Sequence, residues 1–180
     1  MPAASEQYFV LTLPLRPQPW QQQILEKRFE INRQIYNALL QKALKRYRQM
    51  IQTRAWRANR DALSGEKDRE QRRQLLKERE ELVKRYRLSR YEICKDATPF
   101  RQHFSEHTDS PVTQNLADCV WHAVDALIQG RAVRLHEKEE GELRSLSGKT
   151  NNSSIKFRDG TVVWKGLVLL AGLKQNAYEQ

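Results

Sequence analysis

Residues 154–169 read Ser154-Ile155-Lys156-Phe157-Arg158-Asp159-Gly160-Thr161-Val162-Val163-Trp164-Lys165-Gly166-Leu167-Val168-Leu169. Asp-Gly between two β-branched and aromatic runs is a strong two-residue hairpin signal, because both turn positions need φ > 0. The spacing predicts strands over 154–158 and 161–169. Gly166 marks either a bulge or a second bend that starts a third short strand. Working back, residues 141–154 are rich in Gly, Ser, Thr and Asn and read as a loop. At the other end of the chain, Tyr8-Phe9-Val10-Leu11-Thr12-Leu13-Pro14-Leu15 reads as a strand, ended or placed at a sheet edge by Pro14. A lone strand is unstable. The economical solution pairs it with the C-terminal hairpin in one small antiparallel sheet. The expected class is α+β, with a large basic helical insertion between sheet strands. The expected divisions are 1–16 (strand), 17–140 (helical lobe) and 141–180 (hairpin and tail).

The insertion begins with a turn, Arg16-Pro17-Gln18-Pro19, in which Pro19 suits a first helical turn. From Trp20 to about Gln52 the apolar residues recur with period 3.6, at Ile24/Leu25, Ile31/Ile35, Leu39/Leu40 and Met50/Ile51 among others. Arg54–Arg60 either extends this helix or forms a short second one. Leu63-Ser64-Gly65 breaks the pattern, with Ser64 as an imperfect cap for a charged helix over 66–88. That helix has only a narrow stripe: Leu75/Leu76, Leu82/Val83 and Tyr86. It therefore packs by one edge, or pairs with the first helix as an antiparallel coiled coil. A short helix is expected within 89–104, with a break before Pro99. Asp109-Ser110-Pro111 is a helix start. The helix is expected to run to about Glu140 and to bury Leu116, Val120, Val124, Leu127, Ile128 and Val133 on one side, widened by Ala117 and Trp121.

The full chain has 180 residues, 39% of them hydrophobic and 30% charged, which excludes full disorder and allows one core. No apolar run spans a bilayer, and no basic-then-apolar leader pattern opens the chain. Two cysteines, Cys94 and Cys119, are too few for a disulfide scaffold and favour a reducing cytoplasm. The net charge is +10. It is concentrated: residues 16–101 hold 23 Lys/Arg against 11 Asp/Glu, a surplus of +12. Such a segment repels itself unless an anion relieves it, and polyphosphate is the obvious anion. The alternative is a solvated helical surface.

Catalytic and metal signals are weak. His103 and His107 are four apart, but the residue after His103 is Phe104 rather than Glu, and no third ligand is placed by spacing. Cys119 and His122 share a helix without an orienting third group, so a buried Cys beside a partly exposed His is expected. Phosphate-loop and dinucleotide motifs are absent. No catalytic residue, metal or cofactor is expected. The positive findings are basic–aromatic clusters. One comprises Tyr47, Arg48, Arg54, Trp56, Arg57 and Arg60, next to Lys42, Lys45 and Arg46; another comprises Arg72, Arg73, Lys77, Lys84, Arg85, Arg87 and Arg90. Lys149, Lys156 and Arg158 add cations around the hairpin. Arg grips phosphates bidentately and stacks on bases, while Trp and Tyr offer stacking faces or pack between helices.

The N-terminal strand, the helix with Ile35-Tyr36-Asn37-Ala38-Leu39-Leu40, the basic block, the Ser153–Gly160 hairpin and Val163-Trp164-Lys165-Gly166-Leu167 together resemble the front half of the transposon-encoded TnpB (OrfB) proteins and the small type V CRISPR effectors. The resemblance runs from about residue 7 to residue 170. It implies wedge strands and a recognition lobe that hold guide RNA, the guide–target duplex and a short DNA motif. The family's RuvC-like nuclease follows the second wedge segment; this sequence stops about ten residues after its hairpin. The expectation is therefore a nucleic-acid-binding recognition module whose partners are guide RNA and target DNA. The alternatives are the N-terminal part of an RNA-guided DNA endonuclease, with the nuclease in a downstream or separate part, and a helical protein–protein adaptor.

Overall fold

The computed structural model describes residues 12–148 and 154–172. Its order is β1 (Leu15–Arg16), α1 (Pro19–Ile51), α2 (Arg54–Gly65), α3 (Arg69–Arg85), α4 (Arg90–Asp96), α5 (Thr98–His103), α6 (Ser110–Ile128), β2 (Lys156–Arg158), β3 (Thr161–Trp164) and β4 (Leu167–Ala171). The class is α+β. One antiparallel sheet, ordered β1-β4-β3-β2, brings the two ends of the described chain together around the helical insertion.

Both hairpin turns have two consecutive residues at positive φ: Asp159 (45°) and Gly160 (72°), then Lys165 (46°) and Gly166 (76°). Gly166 thus makes a second hairpin rather than a bulge. Lys165 is a poor residue for that conformation, and the turn is held from outside. Arg28, buried on α1, donates from Nη1 to the Trp164 carbonyl (2.7 Å) and from Nη2 to the Lys165 carbonyl (2.9 Å), with its guanidinium 5.0 Å from the Trp164 ring centroid. Burial pulls the Arg28 guanidinium below its ordinary pKa, opposed by the charge of Asp109. A second tie is Gln21: its Oε1 accepts from the Gln18 amide (2.8 Å) and its Nε2 donates to the Val168 carbonyl (2.7 Å). A third is Asp109, which caps α6 by accepting from the Val112 amide (3.1 Å) and accepts from Trp164 Nε1 (3.0 Å) and Ser154 Oγ (2.6 Å). The sheet is thereby fastened along the first three turns of α1 and at the start of α6.

The helical core is built on α1 and α6. Ile35, Leu39, Leu40 and Met50 of α1 meet Ala117, Val120 and Val124 of α6, with Leu88 and Ile93 closing the side. Asn32, fully buried, accepts from Thr108 Oγ1 (2.8 Å) and donates to the Arg28 carbonyl (2.8 Å), so this polar position in the core is satisfied.

Several expectations are corrected. Of the strand expected over 8–15, residues 8–11 lie outside the described residues, residues 12–14 are irregular, and only Leu15 belongs to β1. Arg16, assigned to a turn, belongs to β1 because it pairs with Leu170. Residues 54–65 form a separate helix capped by Thr53, whose Oγ1 accepts from the Trp56 amide. α3 is capped by Asp68, not Ser64; the Ser64 hydroxyl instead donates to the Asp61 carbonyl. α3 packs on α2, so the coiled coil with the first helix does not form. The break near Pro99 comes at Ala97, and Pro99 lies in the first turn of α5. α6 stops at Ile128 rather than near Glu140. Gly130 turns left-handed (φ 70°), and the amides of Arg131 and Ala132 both return to the Ala126 carbonyl, which closes the helix. Val133 is therefore 99% exposed and outside the core. Residues 131–148 cross the molecule as an irregular strap. Asn37 grips it at Lys138 in both directions, donating to the carbonyl and accepting from the amide at 2.9 Å each. Cys119, expected to be buried, is exposed.

Candidate nucleic-acid interface

The basic residues divide according to whether a carboxylate lies within reach. Lys42 and Arg46, one helical turn apart on α1, converge on Asp96 of α4, which is 7% exposed. Lys42 Nζ is 2.7 Å from Asp96 Oδ1, and the Arg46 guanidinium grips both carboxylate oxygens. Arg46 Nη1 also donates to the Arg87 carbonyl (3.0 Å). Arg87 is the left-handed residue (φ 55°) that ends α3, where the Leu88 amide returns to the Val83 carbonyl. Lys42 and Arg46 therefore lock the α3–α4 corner onto α1. Burial pushes the Asp96 carboxyl up, but hydrogen bonds from Arg46 and Lys42 more than offset this and hold it below its ordinary range. Among the described residues the remaining paired cations are Arg33 with Glu30, Arg60 with Asp61, Lys84 with Glu80 and Glu81, Arg87 with Glu92, Arg90 with Asp118, and Arg131 with Asp125.

Of the candidate cations named from sequence, those without a described carboxylate partner lie mainly on the α2–α3 hairpin. Contacts run in opposite order along the two helices. Arg72 Nη1 approaches the Leu63 carbonyl (3.5 Å), Asn59 Nδ2 donates to the Leu75 carbonyl (2.8 Å), and Arg79 stacks over Trp56 at 5.1 Å. The helices are thus antiparallel, and their shared core is thin: Trp56, Asn59, Leu63 and Leu82 are the buried residues. Outward stand Arg54 and Arg57 of α2 and Arg72, Arg73, Lys77 and Arg85 of α3. None forms an ion pair with a described carboxylate, and neither do Lys45 and Arg48 near the end of α1. Carboxylates are interleaved with these cations on α3, at Glu70, Glu78, Glu80 and Glu81, so the two signs share its exposed surface.

Of the two aromatic candidates, Trp56 is 5% exposed and covered by Arg79, and Tyr47 is packed against the core. Trp56 is thus an inter-helix packing residue without an open stacking face, and Tyr47 is partly buried against the core. Lys156 and Arg158 lie on β2, in the β-hairpin of the sheet and not on the α2–α3 hairpin, and Lys149 lies outside the described residues. His103 sets its ring edge-on to Phe104 at 4.6 Å. Among the described residues no group of three or more His, Cys, Asp or Glu side chains is placed to hold a metal ion.

Arg69 and Arg79 complete the hairpin's basic set and were not singled out from sequence. Arg79 follows Arg72 by seven residues, hence on the same helix face, and that spacing is the signal that points to it. It is half-buried, with Nε toward Asn59 Oδ1 (3.4 Å) and no ion pair to a described carboxylate. Burial lowers its pKa, and the neighbouring charge of Arg72 lowers it further. No helix among the described residues is long and apolar enough to cross a membrane. Compared with known proteins, the chain matches no family model, no curated protein and no solved structure.

Proposed function

We propose that this chain binds nucleic acid, gripping the backbone of an RNA or RNA–DNA duplex along the α2–α3 hairpin. The observation that carries the reading is the set of exposed hairpin cations without a described carboxylate partner: Arg54, Arg57, Arg72, Arg73, Lys77 and Arg85. Solvated cations crowded on a thin two-helix hairpin raise its self-energy, and a polyphosphate relieves it with release of counterions. The reading gives the chain a binding role and no cleavage role. It places the chain as the recognition part of an RNA-guided DNA-targeting system of the TnpB kind, working in the cytoplasm on guide RNA and target DNA. A RuvC-like nuclease would come from a downstream or separate part. In such a system base pairing reads sequence, while the protein holds the duplex by shape and charge.

The test is binding of a fluorescent RNA duplex followed by anisotropy across a salt series. Each phosphate contact contributes roughly 0.7–0.9 to the log–log slope. Arg73→Ala with Lys77→Ala should therefore flatten the slope by about 1.4–1.8. A parent slope near zero, or a slope unmoved by the double variant, rejects the reading. A stable oligomer whose RNA binding vanishes at physiological salt would favour the adaptor instead.

A further inference from the structure

α3 packs on α2, while α6 packs on α1 and α4. Between α3, the start of α4 and the end of α6 a groove of about 360 Å³ remains open. That size falls at the small end of ligand sites, which span roughly 300–1,000 Å³. Its apolar lining is Leu76, Val83, Trp121 and Ile128, and its cations are Arg79, Lys84 and Arg90. Leu76 is 44% exposed there. Trp121 is half-buried, with the Arg90 guanidinium 5.9 Å from its ring centroid. Arg90 is fixed by a bidentate pair with Asp118 (2.7 and 2.6 Å), so the wall is pre-organised. Lys84 is committed to Glu80 and Glu81, and Asp125 to Arg131. Arg79 is the cation of this groove whose charge no described carboxylate balances.

We propose that the α3–α6 groove takes one unpaired nucleotide, its base against Trp121 and Leu76 and its phosphate on Arg79. This rests on the nucleic-acid reading above and extends it: the hairpin holds backbone, and the groove selects an unstacked base. Charge complementarity commits the site to an anion, because no described carboxylate balances Arg79, whose other contacts, the Trp56 ring and Asn59 Oδ1, are uncharged. The flat aromatic and the exposed leucine commit it to a ligand with an apolar face. A nucleotide combines the two.

The experiment compares two probes of equal length and charge: a single-stranded oligothymidylate and the abasic deoxyribose-phosphate chain. Base–aromatic stacking corresponds to about 5- to 150-fold in affinity. The parent should prefer the base-bearing probe within that range. Trp121→Leu should abolish the preference, and Trp121→Phe should keep most of it. Leu76→Glu, at an exposed position that does not support the core, should abolish it as well, which covers loss of folding in Trp121→Leu. Arg79→Gln should weaken both probes alike. Equal binding of the two probes by the parent overturns the proposal while leaving backbone binding intact. So does a preference that survives both Trp121→Leu and Leu76→Glu, or displacement of the oligothymidylate by an equal concentration of poly-glutamate. Failure of the parent to bind the oligothymidylate, the abasic chain or an RNA duplex overturns the nucleic-acid reading itself.

Discussion

Replacing Asp96 by Ala separates the structural cations from those proposed to bind nucleic acid. The carboxylate is 7% exposed and receives Lys42 and both nitrogens of the Arg46 fork, whose side chain is itself only 14% exposed. Removing one partner of a buried ion pair costs about 3–5 kcal/mol, because the other charge stays buried and unpaired. Lys42 is half-exposed and rehydrates readily, so the Arg46 contribution dominates and the lower end, about 3 kcal/mol, applies. For a chain of this size that corresponds to a melting temperature lower by about 6–12 °C at pH 7. The pH dependence has a definite sign. The Asp96 carboxyl is held below its unfolded value, so its stabilisation is complete above that value, about 3.9, and is lost as pH falls through the folded value. The gap between parent and Asp96→Ala, followed by circular dichroism melts, should therefore close under acid. Restoring an apolar pair, Asp96→Leu with Arg46→Met, should recover most of the loss, since well-packed apolar replacements of buried ion pairs are often neutral or better. A melting temperature unchanged in Asp96→Ala would refute the assignment of Lys42 and Arg46 to the α1–α4 lock. So would a clear rise in RNA affinity with no loss of stability, which would mean that Asp96 merely masks two phosphate ligands.

Three further outcomes follow from the sheet and its anchors. Arg28→Met keeps the aliphatic stem but strips the Trp164 and Lys165 carbonyls of their charged donor. It should cost about 2–3 kcal/mol and speed amide exchange in β4, read by hydrogen exchange. Gly166→Ala has open space for its methyl group but a left-handed backbone, so it should cost about 1–2 kcal/mol in a thermal melt, whereas Gly65→Ala, at ordinary φ and equally open, should be neutral or stabilising. Glu30 accepts hydrogen bonds from Arg33 and Gln34 that pull its carboxyl down to about 2, so its contribution is intact above the ordinary glutamate range and lost as pH falls toward about 2; Glu30→Gln should flatten the parent's acid limb in a melt-versus-pH series.

What was legible in the sequence is what depends on neighbours in the chain. Asp159-Gly160 declares its hairpin because the residue types themselves meet the φ requirement, and Asp109-Ser110-Pro111 declares a helix start for a similar reason. Lys165-Gly166 was half-legible: glycine announces a turn, but a lysine in the left-handed region is tolerable only because Arg28, far away in sequence, holds the carbonyls on either side. The end of α6 was hidden. Val133 and Leu135 prolong the apolar rhythm past Gly130, and only the closure onto the Ala126 carbonyl shows that the helix has finished. Trp56 and Trp121 look alike as sequence letters; one is sealed between α2 and α3, the other faces a groove, and that difference is set by which helices meet.

The same reasoning explains why a sum of charges could name an interface region but not its members. The surplus of +12 over residues 16–101 is real, yet an arginine is available to an outside anion only if tertiary packing leaves it without a carboxylate. α1, α4 and α6 pack closely, so their cations meet acids from other helices: Arg46 finds Asp96, fifty positions on, and Arg90 finds Asp118. The α2–α3 hairpin has one thin seam and two open sides, so few foreign carboxylates approach it, and its own glutamates reach only cations within a turn or so along α3. Its exposed cations Arg54, Arg57, Arg72, Arg73, Lys77 and Arg85 are therefore left without a described carboxylate partner, on an element with little tertiary packing. That element can adjust to a duplex at little cost to the core, whereas a phosphate recruited to Lys42 or Arg46 would have to compete with Asp96 and unlock the α3–α4 corner.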